Sequence, residues 1–166
     1  MTRIIGFWIA LALLISCRNQ SPANAVNSVS STELIESSPI YFERTACFGR
    51  CPAFVFQYDG ADLVSLTVKR PFYEGPMTKL VMGSYRATLS KKESGPFNDR
   101  ILAAAERYSF STLDSVYDSP MVTDLPSTIL EIQGHRVTNR YKGPDLRGLY
   151  TEIEEQMATF GWQLQE

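Results

Sequence analysis

Between Ala53 and Lys69 the chain alternates in polarity through two consecutive runs, separated by an Asp-Gly step. In the first run Phe54, Phe56 and Tyr58 share one face, with Ala53, Val55 and Gln57 on the other. In the second, which begins at Ala61, Val64, Leu66 and Val68 oppose Leu63, Ser65 and Thr67. A period of two is that of a β-strand with one face in a core. Asp59-Gly60 predicts a two-residue hairpin turn. The chain is therefore committed to an antiparallel strand pair with one large apolar face, and another layer must cover that face.

The remaining segments supply the strands and the cover. Ile40 to Thr45 reads as a first strand, and Tyr85, Ala87 and Leu89 mark a fourth. Between them, Pro71, Gly75 and Pro76 make a loop. Ser90-Lys91-Lys92-Glu93 has the form of a capping box, although Gly95-Pro96 fits a helix that starts at Pro96 equally well. In either case Phe97, Ile101, Leu102 and Ala105 form an apolar stripe, which ends near Tyr108. Ser127–Gln133 and Arg136–Tyr141 read as a second hairpin across Gly134-His135. After Gly143-Pro144, the residues Leu146, Leu149, Tyr150, Ile153, Met157 and Phe160 fall on one face of a helix. Asp145 is expected in its first turn, Gly161 as its C-terminal cap and Trp162 as a hydrophobic clamp. The predicted fold class is α+β: a two-layer sandwich with an antiparallel sheet of about five or six strands and two helices on one face.

The N-terminus carries an address. Arg3 precedes an unbroken apolar run from Ile4 to Ile15, followed by Ser16 and Cys17. Twelve residues span about 18 Å as a helix, short of the roughly 30 Å core of a bilayer. The run reads as the apolar region of an export signal. Leu14-Ile15-Ser16-Cys17 resembles the lipobox of bacterial lipoproteins. That resemblance implies cleavage before Cys17 and attachment of lipid to its sulfur. It divides the chain into a signal peptide (1–16), a lipidated Cys17 with a Ser-, Asn- and Ala-rich linker (17–38) and a single domain (39–166). Within the linker only Thr32–Glu36 hints at early order. The expected location is outside the cytoplasm, lipid-anchored to the cell membrane or outer membrane, with the domain in the periplasm or at the cell surface. Removing 16 of 166 residues leaves 150, one domain's worth of chain. With Arg3 gone, 15 basic residues face 18 acidic ones, a formal charge of −3. This is the wrong sign for a nucleic-acid-binding surface.

Cys47-Phe48-Gly49-Arg50-Cys51-Pro52 is the one cluster that could carry chemistry. Cysteines four apart in a turn can meet the roughly 4.4–6.8 Å Cα separation of a disulfide, and an exported protein meets oxidising conditions. Gly49 would then supply a backbone conformation closed to other residues. Two other readings use the same sulfurs, as redox thiols or as ligands of a soft metal such as copper. The Cys-x-x-x-Cys-Pro spacing occurs in copper chaperones of the thioredoxin fold, but there the cysteines open a helix, whereas here a strand follows. Arg50, held in a short closed loop, is a candidate for binding an anion or a partner carboxylate. His135 is the sole histidine and falls at a predicted hairpin tip. Asp114, Asp118, Asp124 and Glu131 are scattered, and a hydrolytic acidic pair cannot be read from their spacing. Asp124 joins Arg50 as a binding candidate. No catalytic residue, cofactor or metal ligand is assigned.

A wider resemblance covers residues 38–160. The sequence is similar to an uncharacterised domain family of bacterial lipoproteins. The shared features are the Cys47–Pro52 element, Tyr117 with Thr123-Asp124-Leu125-Pro126, and Gly143-Pro144 leading into Leu146 and Leu149. The resemblance implies one fold and an envelope location, and it carries no activity. The expectation is a non-catalytic envelope lipoprotein whose domain binds an envelope protein or glycan, tethered to membrane lipid through Cys17. The alternatives are a thiol-redox or copper-handling protein using Cys47 and Cys51, and a hydrolase with an acidic pair.

Overall fold

The computed structural model describes residues 39–166. The expected signal peptide, Cys17, the expected linker and the Thr32–Glu36 segment lie outside the described residues. Four strands come first: β1 (Ile40–Arg44), β2 (Ala53–Tyr58), β3 (Leu63–Arg70) and β4 (Gly83–Thr88). Then come α1 (Lys91–Arg107), β5 (Val116–Tyr117), β6 (Thr128–Ile132), β7 (His135–Asn139), α2 (Arg147–Met157) and β8 (Gln163–Leu164).

They form one sheet in the order β5-β7-β6-β1-β2-β3-β4-β8. The first four strands are an antiparallel meander. The chain then passes through α1, and the β6–β7 hairpin adds to the free side of β1. α2 returns it to the opposite edge, where β8 pairs with β4. The fold is α+β as predicted, but the sheet has eight strands and is mixed, because β5 runs parallel to β7. The two unforeseen strands hold two residues each, too few for an alternation to show. They exist because a neighbouring edge offers unpaired backbone: Arg140 N–H donates to the Tyr117 carbonyl, and Gln165 N–H to the Ser84 carbonyl.

The predicted apolar positions of β2 and β3 do face the core. Phe54, Phe56, Tyr58, Val64, Leu66 and Val68 are all buried. Their turn is wider than expected. Asp59 to Asp62 form a four-residue connection, in which the Asp59 carboxylate accepts from the backbone N–H groups of Ala61 and Leu63. That carboxylate satisfies amides that a two-residue turn would have paired within the ladder.

Both helices cover the same face. Phe97 of α1 meets Tyr58 edge-on at 5.1 Å, and Tyr150 of α2 stacks on Phe42 at 5.7 Å. α1 starts at Lys91 rather than Pro96. The Ser90 N–H and hydroxyl both donate to the Glu93 carboxylate, and Pro96 is carried inside the helix. Asp145 precedes the first turn of α2 instead of lying in it, and accepts from the Arg147 N–H and guanidinium. These bonds hold its carboxyl at about 2. The C-terminal end also differs from expectation, since Ala158 caps α2 and Gly161 has no left-handed φ. Trp162 is the clamp: its indole N–H donates to the Met157 carbonyl at 2.8 Å while its ring packs on Phe56 and Phe160. The opposite face of the sheet is polar, with Tyr41 donating to Glu43, Lys69 paired to Glu43 at 3.0 Å and Arg136 paired to Glu131 at 3.0 Å. Burial pushes the Glu43 carboxyl up, but hydrogen bonds from Tyr41 and Lys69 outweigh it and leave it below its ordinary value.

Candidate functional site

The candidate site lies where β1 ends. Thr45 N–H donates to the Ser127 carbonyl, and the chain then leaves the sheet and folds into the loop Cys47–Cys51. The two cysteines are disulfide-bonded, with Cα atoms 5.7 Å apart. The Arg70 guanidinium donates to the Cys47 carbonyl at 2.6 Å and so pins the loop to the end of β3. Gly49 does not play its predicted part. Its φ is not left-handed, and a Cβ there would meet only the Cys47 Sγ at an ordinary 3.7 Å. The disulfide and Arg70, rather than a glycine conformation, shape the turn.

Two side chains project from this loop. Phe48 is 89 % exposed. Arg50 lies over the Tyr73 ring, 4.7 Å from its centroid, a cation–π contact. Below them is a cleft of about 540 Å³, lined by Arg44, Arg50, Phe72, Tyr73, Glu74 and Glu154. Arg44 and Glu154 meet across it at 3.1 Å, one from the last position of β1 and the other from α2. The contact is an ion pair between Arg44 Nη2 and Glu154 Oε1, and the buried Arg44 Nε has no hydrogen-bond partner. Burial pushes the Glu154 carboxyl up, and the Arg44 charge offsets only part of that rise.

The predicted site residues therefore fare differently. Arg50 lines the cleft. Asp124 is exposed in the connection between β5 and β6 and does not line it. Asp118 is paired with Arg140 and Glu131 with Arg136, and none of Asp114, Asp118, Asp124 and Glu131 lines this cleft. His135 is not at a hairpin tip but opens β7, because the turn is Gln133-Gly134, both with positive φ. Its ring meets Phe110 edge-on at 5.5 Å in a second cleft of about 570 Å³, between α1 and the β6–β7 hairpin. The acids lining that second cleft, Asp99 and Glu106, are exposed and have no ion-pair partner among the described residues. His135 sits at the Ile40 end of β1 and the cysteines beyond its Arg44 end, roughly 13 Å apart along the strand. A site combining them cannot form. The cysteines also do not open a helix, and a disulfide offers no thiolate. Among the described residues no three His, Cys, Asp or Glu side chains cluster to hold a metal, and no helix is long and apolar enough to cross a membrane.

Tyr73, one of four aromatics (with Tyr58, Phe72 and Tyr85) whose sequence is compatible with a binding face as well as with core packing, does line the cleft, whereas Arg44, Glu74 and Glu154 are the cleft residues that sequence reasoning missed. The one available signal was Glu154 at the flank of the apolar stripe of α2, four residues after Tyr150.

A family described as a domain of unknown function (DUF6438) matches residues 38–157. The chain belongs to this family. The match takes in the disulfide loop, Tyr73, Glu74 and both members of the Arg44–Glu154 pair, and it ends where α2 ends, before Trp162. No curated protein and no solved structure matches the chain.

Proposed function

We propose that the protein is a cell-envelope lipoprotein, tethered through lipid on Cys17, whose α+β domain is a non-catalytic binding module for an envelope protein or glycan. The observation that carries the binding reading is the loop Cys47–Cys51. It presents a Phe that is 89 % exposed beside an Arg stacked on Tyr73. Aromatic and Arg side chains dominate the energetics of interfaces. A loop closed by a disulfide and pinned by Arg70 loses little further conformational entropy on binding. The tether reading rests on the lipobox-like Leu14–Cys17 segment.

The test has two arms in intact cells. Cys17→Ser should move the protein from the membrane pellet to the soluble fraction, since stable anchoring needs the acyl chains. A photo-crosslinker at position 48 should trap a discrete partner, whereas one at Thr67, on the polar face of the sheet, should not. Retention of a Ser variant that has been processed, in the pellet after a salt wash, defeats the tether. Equal labelling from both positions defeats the loop as the contact.

A second reading is favoured by one observation. Glu154 is a carboxyl with raised proton affinity in a cleft that Glu74 also lines. Such a pair can act as general acid and base. Hydrolysis of isolated envelope glycan by the wild type, lost in Glu154→Gln, would replace the non-catalytic reading with this one.

A further inference from the structure

The cleft beneath the disulfide loop has a charge arrangement that the loop contact does not use. Four charged side chains line it: Arg44, Arg50, Glu74 and Glu154. Arg44 and Glu154 neutralise one another. Arg50 and Glu74 have no oppositely charged partner within ion-pair distance among the described residues. One cation and one anion thus remain free on the walls of a single cleft, whose lining also carries the buried, unpartnered Arg44 Nε. We propose that this cleft binds a short zwitterionic ligand, an amino acid or dipeptide, with its carboxylate on Arg50 and its ammonium on Glu74. The inference rests on the binding-module reading and names a ligand class for it.

Three features favour this class over others. Arg50 is held in place: the loop is closed, Arg70 binds the loop backbone at Cys47, and the guanidinium carbon sits 4.7 Å from the Tyr73 ring centroid. A carboxylate matches the planar fork of a guanidinium with two parallel hydrogen bonds. The cleft as a whole is formally neutral, so a phosphate dianion entering it meets two carboxylates as well as two guanidinium groups, and a neutral sugar leaves both free charges unpaired. Its size, about 540 Å³, is within the roughly 300–1,000 Å³ of ligand pockets.

The experiment is calorimetric titration of the full chain, purified in detergent, with four probes: dialanine, dialanine amide, N-acetyl-dialanine and inorganic phosphate. Dialanine should bind saturably. Capping either charge should weaken it by roughly tenfold or more, the loss expected for one charge-assisted hydrogen bond. Arg50→Gln should weaken dialanine and N-acetyl-dialanine by a similar factor and leave the amide unchanged. Glu74→Gln should weaken dialanine and the amide and leave N-acetyl-dialanine unchanged. Both positions are exposed, and circular dichroism of the variants checks that the fold is intact. The inference is overturned if dialanine gives no saturable binding at millimolar concentration, if the amide binds as well as the free dipeptide, or if phosphate binds more tightly. Phe48→Ala, read with the photo-crosslinker moved to position 49, separates the two readings, since it should abolish crosslinking to the partner and leave dialanine affinity unchanged.

Discussion

Gly148, in the first turn of α2, lies against the hydroxyl of Tyr108, the residue that ends α1, and a Cβ at 148 would overlap that oxygen. The two helices approach one another at this point, on the layer that covers the sheet. In an open helix, Gly→Ala is favourable by about 1 kcal/mol. Here the overlap must be relieved by moving a half-buried tyrosine, and overpacking of that kind costs about 1–3 kcal/mol. Gly148→Ala should therefore destabilise by about 1 kcal/mol in urea titration. In a Tyr108→Ala background the same change should become stabilising. Equal effects in both backgrounds would show that the contact does not limit the approach of the helices.

The disulfide should shape the loop more than it holds the fold. It closes only five residues, and in the chain-entropy model a loop of that length contributes about 2 kcal/mol at most. Replacing both cysteines by Ser should lower stability by no more than that amount, with the sheet intact by circular dichroism. A larger loss, or a chain that fails to fold, would mean that the covalent link supports the end of β1 and the start of β2 beyond its entropy.

Glu154 gives a pH signature of known sign. Burial raises its folded-state proton affinity above the ordinary 4.5, with Arg44 opposing. A carboxyl that binds its proton more tightly in the folded state favours the fold at low pH. That contribution is lost as pH rises from 4.5 through the raised value. Relative to wild type, Glu154→Gln should therefore become more stable as pH is raised from about 4.5 to neutrality, as read by thermal melts of both proteins at each pH. A shift the other way would mean that the ion pair with Arg44 outweighs the burial.

The legible part of this protein is the part encoded by local periodicity. Phe54, Phe56 and Tyr58 declare their common face within six residues, because successive strand side chains point to opposite sides. The stripe from Leu146 to Met157 does the same at helical spacing, and Leu146, Leu149, Tyr150, Ile153 and Met157 are all buried. The Ser90–Glu93 box and the Cys47–Cys51 bridge are also short-range, since their partners lie three and four residues apart. From these alone follow the fold class, the buried faces and the corner that carries the loop.

What joins distant segments was decided only in three dimensions. No residue of β1 announces that β6 will pair with its free edge, since backbone hydrogen bonds are the same for every strand. β5 and β8 are strands only because β7 and β4 leave edges beside them. The turn at Gln133-Gly134 was misread by one residue because glycine takes its second position and not its first, and that step moves His135 off the tip and into the sheet. The cleft is the clearest case. Arg44 is a polar residue at a strand end and Glu154 a polar residue on a helix flank, each unremarked in its own segment. Packing α2 on the sheet face beside β1 brings them to 3.1 Å, beneath a loop whose Arg50 lies over Tyr73, a residue from beyond β3. The chemistry of this site is a product of that packing, because Arg44 and Glu154 acquire one another as partners, and Glu154 its burial and raised proton affinity, only when the layers close.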